Sequence, residues 1–175
     1  DVRVDFVDDV GDSWEEYVVF HHGFKQWMDV NDITFSEDFS EKAINKLIEN
    51  IASECFMPLT YGGGISTLEQ AKRIFEIGVE KISLNNAAIK NPKLIEKIAN
   101  IYGSQSIIVS IDYKKNMWGK VLVHGQRGKK STGKAPEVFA KEMESSGAGE
   151  LLLTNIEREG TWKGLDVEGV KKITD

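Results

Sequence analysis

Residues 106–112 read Ser-Ile-Ile-Val-Ser-Ile-Asp, an apolar run that hardly alternates. A strand with one wet face alternates apolar and polar side chains. A continuous run belongs to a strand covered on both faces, the habit of parallel sheets. Shorter runs of the same kind occur at 56–60, at 81–85 and at 150–155, where Leu151-Leu152-Leu153 stand together. Amphipathic stretches separate them. Over 40–53 the residues Ala43, Ile44, Leu47, Ile48 and Ile51 follow a helical period. A second helix is expected to start near Ser66 or Thr67, with Glu69 and Gln70 placed as capping-box partners, and to end at Gly78. Asn91-Pro92 opens a third, with Pro92 at its first position, and Gly103 closes it. Another spans 136–146 before Gly147, and a last one starts at Asp166. Strand–helix units therefore recur every roughly 20–30 residues, which argues for a parallel sheet with helices outside. The pattern alone allows a closed barrel or an open doubly wound sheet. Two stretches depart from it: 116–124 reads as a hairpin excursion, and a weak strand at 27–33, after a helix at about 12–22, is spoiled by Asp29 and Asn31.

At 175 residues and 41% apolar content, one domain with one core is expected over 1–175. The net charge of −6 argues against nucleic acid as a partner. No apolar run approaches the ~20 residues of a membrane span, and no basic-then-apolar leader opens the chain, so a cytoplasmic protein is expected. Cys55 is the one cysteine, in keeping with a reducing compartment. His21, His22 and His124 lack metal-ligand spacing, so no metal site is expected.

Chemistry concentrates where strands end. Gly62-Gly63-Gly64 lies between a strand and a helix start, where bare backbone N–H groups and the helix dipole attract an anion. A tight turn without ligand is the plainer alternative, but three glycines exceed what a turn requires. The next strand ends in Ser83-Leu84-Asn85-Asn86, whose amides either cap a helical turn or serve the same anion. Asp112 closes the longest apolar run. Partial desolvation there raises a carboxylate toward a useful acid/base range, whereas an N-cap or a salt bridge to Lys114 or Lys115 is the structural alternative. The loop 154–161 offers Gly160 and Thr161 as anion contacts, opposed by Glu157 and Glu159 unless these point away. Lys129-Lys130-Ser131-Thr132-Gly133 lacks P-loop spacing and reads as a phosphate clamp or a solvated face. Trp14, Trp27, Trp118 and Trp162 have no regular spacing and are expected to pack or to anchor loops.

Taken together, 58–65, 81–85, Asn91-Pro92, Gly103-Ser104-Gln105, 109–112, 147–154 and 158–161 follow one another as in the cyclase subunit of imidazole glycerol phosphate synthase. The resemblance covers about Ile48 to Asp166. The wording of 51–64 is similar to a paralogous branch associated with amidation of surface-polysaccharide sugars. It implies the (βα)8 TIM-barrel fold, here a partial barrel from roughly helix 1 to helix 6. It implies a lyase of histidine biosynthesis that needs no cofactor. Ammonia arrives through the barrel from a glutaminase partner in a heterodimer. The substrate is phosphoribulosyl-formimino aminoimidazole carboxamide ribotide, and the products are imidazole glycerol phosphate and aminoimidazole carboxamide ribotide.

In that scheme Asp112 matches one of two catalytic aspartates. Gly63, Gly64, Asn85 and Asn86 match one phosphate site. Thr154, Gly160 and Thr161 match part of the substrate site at the other end. Lys81 and Glu150 match charged residues at the ammonia entrance. Several features depart from the family. Its other aspartate ends a strand that the resemblance places before Asp1, and its last two strands would follow Asp175. Its Asp-Arg-Asp-Gly is Glu157-Arg158-Glu159-Gly160 here, and Trp27 stands at its gate glutamate. Open edges are expected at the strand of 27–33 and at the strand of 150–155. Two other roles stay open: an ammonia-channelling subunit for a sugar amidotransferase, and an inactive copy that binds phosphate without turnover.

Overall fold

The structure, a computed structural model, describes residues 41–54 and 58–174. The helix expected over 12–22, the strand over 27–33 and its edge, Trp14, Trp27 and Cys55 lie outside the described residues. Helix α1 spans Glu41–Glu54, β1 Thr60–Gly62, α2 Leu68–Glu76, β2 Lys81–Leu84, α3 Asn86–Lys90 and α4 Pro92–Tyr102. After a single 3-10 turn come β3 Ile107–Lys115, β4 Val121–Gly125, β5 Lys130–Ser131, α5 Pro136–Ser145, β6 Glu150–Asn155 and α6 Val167–Thr174.

β1, β2, β3 and β6 lie side by side and parallel in that order. Each crossover moves one place in the same direction, so right-handed connections leave the helices among the described residues on one face. Strand parity records this. Ile82, Leu84, Val109, Ile111 and Tyr113 pack with Ile95 and Ile98 of α4, Phe139 and Met143 of α5, and Ile173 of α6. Thr60, Lys81, Ser83, Ile108, Ser110, Asp112, Glu150, Leu152 and Thr154 are in register with one another on the opposite, inner face. Sequential order with helices on one face only is an arc of a (βα) barrel; a doubly wound sheet carries them on both. Burial of each large helix-side residue stabilises the fold by roughly 1.5–3 kcal/mol.

Local signals set the boundaries. Thr67 accepts from the Gln70 N–H, and Gln70 Oε1 accepts from the N–H groups of Ser66 and Thr67, closing a capping box on α2. Pro92 starts α4 and Pro136 starts α5. Gly149 approaches the 3-10 turn so closely that a Cβ would lie 2.3 Å from the Ser104 carbonyl oxygen. At α6, the Asp166 carboxylate accepts from Gly169 N–H (3.2 Å), Asn155 Nδ2 (2.6 Å) and the Tyr113 hydroxyl (3.1 Å), joining the ends of β3 and β6 to the helix.

Three expectations are corrected. Of the strand expected over 56–60, residues 56–57 lie outside the described residues, Pro58 and Leu59 are not strand, and pairing with Lys81, Ile82 and Ser83 sets the described strand at Thr60–Gly62. Asp112 does not end its strand. β3 runs on to Lys115, because β4 folds back antiparallel and occupies the side that β2 leaves after Val109. Of the two readings of the tryptophans, packing into the core does not hold for Trp118 and Trp162, which are 85% and 89% exposed, and loop anchoring is left.

Candidate functional site

The inner face has two ends. At the C-terminal end, the β1–β2 register sets Gly62 beside Ser83, which brings Gly63 and Gly64 alongside Leu84 and Asn85. Both glycines have positive φ (121° and 65°), a conformation side chains resist. The Gly62–Ser83 pairing turns the Gly63 N–H toward the Ser83 carbonyl of the ladder, while the N–H of Gly64 meets no acceptor among the described residues. The capping box of α2 takes up the N–H groups of Ser66, Thr67 and Gln70.

Asn85 sits at the start of α3 but makes no side-chain cap. Its Nδ2 donates instead to the Ser110 carbonyl (3.1 Å), and the Ser110 hydroxyl donates to Asp112 Oδ1 (3.4 Å). Burial pushes the Asp112 carboxyl above the ordinary carboxylate range, hydrogen bonds from Ser110 and Asn85 pull it back, and the negative charge of Glu159 adds to the rise. Among the described residues Asp112 makes no ion pair with Lys114 or Lys115 and caps no helix. Thr154 is its register partner on β6. Asn86 is partly committed: its Oδ1 accepts from Gln126 N–H (2.8 Å) at the β4–β5 turn, which leaves its NH₂ to donate elsewhere.

The loop after β6 carries Gly160 and Thr161. The Thr161 hydroxyl donates to the Arg158 carbonyl (2.7 Å), while Gly160 has φ 69° and open space where a Cβ would stand. Glu157 turns away and accepts from Lys115 N–H (3.1 Å); Glu159 stays within electrostatic reach of Asp112. Of the basic loop, Lys130–Ser131 forms the exposed strand β5, and Thr132 donates back to the Val123 carbonyl, as a solvated face does.

Lys81 and Glu150 begin β2 and β6 on the same inner face and form an ion pair across β3. They stand at the opposite end of the strands from Asp112. The structure thus gathers Gly63, Gly64, Asn85, Asp112 and Thr154 at one end and the charged pair at the other. Sequence reasoning passed over His124, which faces Asp112 across the β3–β4 ladder. A hairpin at 116–124 was legible, and counting back through its turn was the signal that could have found it. Among the described residues no helix is long and apolar enough to cross a membrane.

A family model described as histidine biosynthesis protein matches residues 5–175. Two curated relatives, from Leptospira borgpetersenii and Leptospira interrogans, carry the name "Putative imidazole glycerol phosphate synthase subunit HisF". They are 44% and 42% identical over 167 residues, covering 94% of this chain and 65% of each relative. A Pseudomonas aeruginosa protein named "Putative imidazole glycerol phosphate synthase subunit hisF2" is 45% identical over 128 residues, 73% of this chain and 51% of its own length. The chain therefore spans between about half and 65% of the curated relatives it matches.

Proposed function

The chain belongs to the histidine biosynthesis protein family, and on that premise we propose that it supplies the cyclase part of a glutamine-dependent imidazole glycerol phosphate synthase. Residues 1–175 are one incomplete (βα) barrel domain of that protein. A glutaminase partner releases ammonia, which passes the Lys81–Glu150 pair and travels along the inner face. At the other end it meets phosphoribulosyl-formimino aminoimidazole carboxamide ribotide. The amides of Gly63 and Gly64, with Asn85 and Asn86, hold one phosphate; Thr154, Gly160 and Thr161 hold the far end. Asp112 exchanges the proton as the imidazole ring of imidazole glycerol phosphate closes and aminoimidazole carboxamide ribotide leaves.

The observation that carries this reading is the run Asn85–Ser110–Asp112. It sets a half-buried carboxyl, raised by its burial, at the same C-terminal strand ends as the glycine loop after β1. A general acid/base of this type contributes about 10²–10⁴-fold. The test is turnover of the ribotide with ammonium salt by the full-length protein. Formation of imidazole glycerol phosphate, lost by about 10²-fold or more in Asp112→Asn, is expected. Absence of product from a folded full-length protein rejects the reading.

The wording of residues 51–64 is the ground for a second reading, in which the protein delivers ammonia to a sugar amidotransferase. Rescue of a histidine auxotroph by the full-length gene decides for the first.

A further inference from the structure

Asp112 has a cross-strand neighbour with no assigned role. β3 and β4 run antiparallel, and their register sets Asp112 directly opposite His124. Residues so paired project from the same face with their Cβ atoms roughly 4.5–5.5 Å apart. That face is the inner one, because Val121 and Val123, the alternate residues of β4, pack toward the helices. His124 is 6% exposed and is the one buried polar residue among the described residues.

Its tautomer follows from its contact. His124 Nδ1 lies 2.9 Å from the Leu122 carbonyl oxygen. A carbonyl can only accept, so Nδ1 carries the hydrogen and the lone pair of the neutral ring is on Nε2. Nε2 has no protein partner among the described residues. No buried side-chain nitrogen there lacks a partner, so Nε2 touches solvent. The ring is thus held by one nitrogen and offers the other as a base. Among the described residues its neighbours on the adjoining strands are Asp112 on β3 and Ser131 on β5, with Lys130 of β5 opposite Gly125. The Ser110 hydroxyl donates to Asp112, Asn85 lowers and Glu159 raises the Asp112 carboxyl, and Lys114 is the next inner-facing residue of β3, opposite Leu122.

We propose that His124 is a proton-relay residue for Asp112. Nε2 takes the proton that Asp112 has received from the substrate, directly or through one water. This leaves an imidazolium and a carboxylate, and reversal restores the carboxylic acid. Transfer to the ring restores Asp112 as a base, and transfer back restores it as an acid, in neither case waiting for bulk water. The inference rests on the reading of Asp112 as the proton-transfer group.

The test uses the full-length protein labelled with ¹³C in Asp carboxyls and ¹⁵N in His rings. In the wild type, each signal is expected to report the titration of the other as well as its own, as coupled sites do. In His124→Gln and His124→Phe, the Asp112 carboxyl is expected to titrate in one step. With ammonia and ribotide, both variants are expected to lose about 10²-fold in kcat with KM within about twofold, and to lose one limb of the kcat–pH profile. Independent titrations in the wild type, or an unchanged pH profile in His124→Phe, overturn the proposal. If the variants do not fold, the wild-type titration decides. If the wild type forms no product, the cyclase reading fails while the coupled signals still judge the relay.

Discussion

Asp112 is held where its charge is costly, and this has a sign that stability measurements can read. Its folded pKa lies above the ordinary carboxylate value because burial outweighs the donors around it. The folded state therefore binds the more protons in the window between the two values. Its contribution to stability is full below that window and is lost as pH rises through the folded value. Asp112→Asn, which has no charge to desolvate, is expected to be the more stable protein at neutral pH and to show a flatter profile. Urea midpoints measured across pH check this, and a variant less stable than its parent at pH 7 would make the carboxylate a structural group. Asn85 acts at the same scale. Asn85→Ala leaves the Ser110 carbonyl without its donor and is expected to cost about 0.5–1.5 kcal/mol. It also moves the Asp112 titration further up, as ¹³C shifts would register.

Elements were legible in proportion to how locally they are encoded. The strand at Glu150–Asn155 and the helices begun by Pro92 and Pro136 stand where the residues placed them, since composition and caps suffice. β1 did not, because a three-residue strand is defined by its partner rather than by its own pattern. The last third of β3 is Tyr113-Lys114-Lys115, polar enough to read as a loop; its pairing with β4 makes it strand. Hence the sequence alone singles out Asp112 and does not bring His124 opposite it. Two element-scale predictions follow from close contacts. Gly149→Ala drives a methyl into the Ser104 backbone and is expected to cost about 1–3 kcal/mol or more, measured by denaturant unfolding. At α6, hydrogen bonds from Asn155, Gly169 and Tyr113 hold the Asp166 carboxyl below its ordinary range, while burial and the neighbouring Asp166 charge push Tyr113 up to about 12. A depressed carboxylate stabilises above the ordinary range, and that contribution is lost as pH falls through the lowered value. Asp166→Ala is therefore expected to be less stable by roughly 0.5–2 kcal/mol at neutral pH. The difference should shrink in acid, as thermal melts at several pH values would show.

At the scale of the molecule, parity along the strands separates a packed side from a polar one, and strand direction separates the two ends of the polar side. Lys81 and Glu150 belong to the lower end. Reversing one charge, in Lys81→Glu, is expected to lower glutamine-supported turnover of the full-length protein with its glutaminase more than ammonia-supported turnover. The double reversal with Glu150→Lys should narrow that gap, and steady-state rates with the two nitrogen sources measure it. Equal losses from both sources would detach the pair from ammonia delivery. The strict sorting along β3 also limits how this stretch can change over generations. Adding or deleting a single residue between Ile107 and Asp112 would turn Ile111 onto the inner face and press the acid against α4 and α5. Drift here is confined to swapping one side chain for another, while insertions and deletions are left to the tip around Met117, beyond the reach of that constraint.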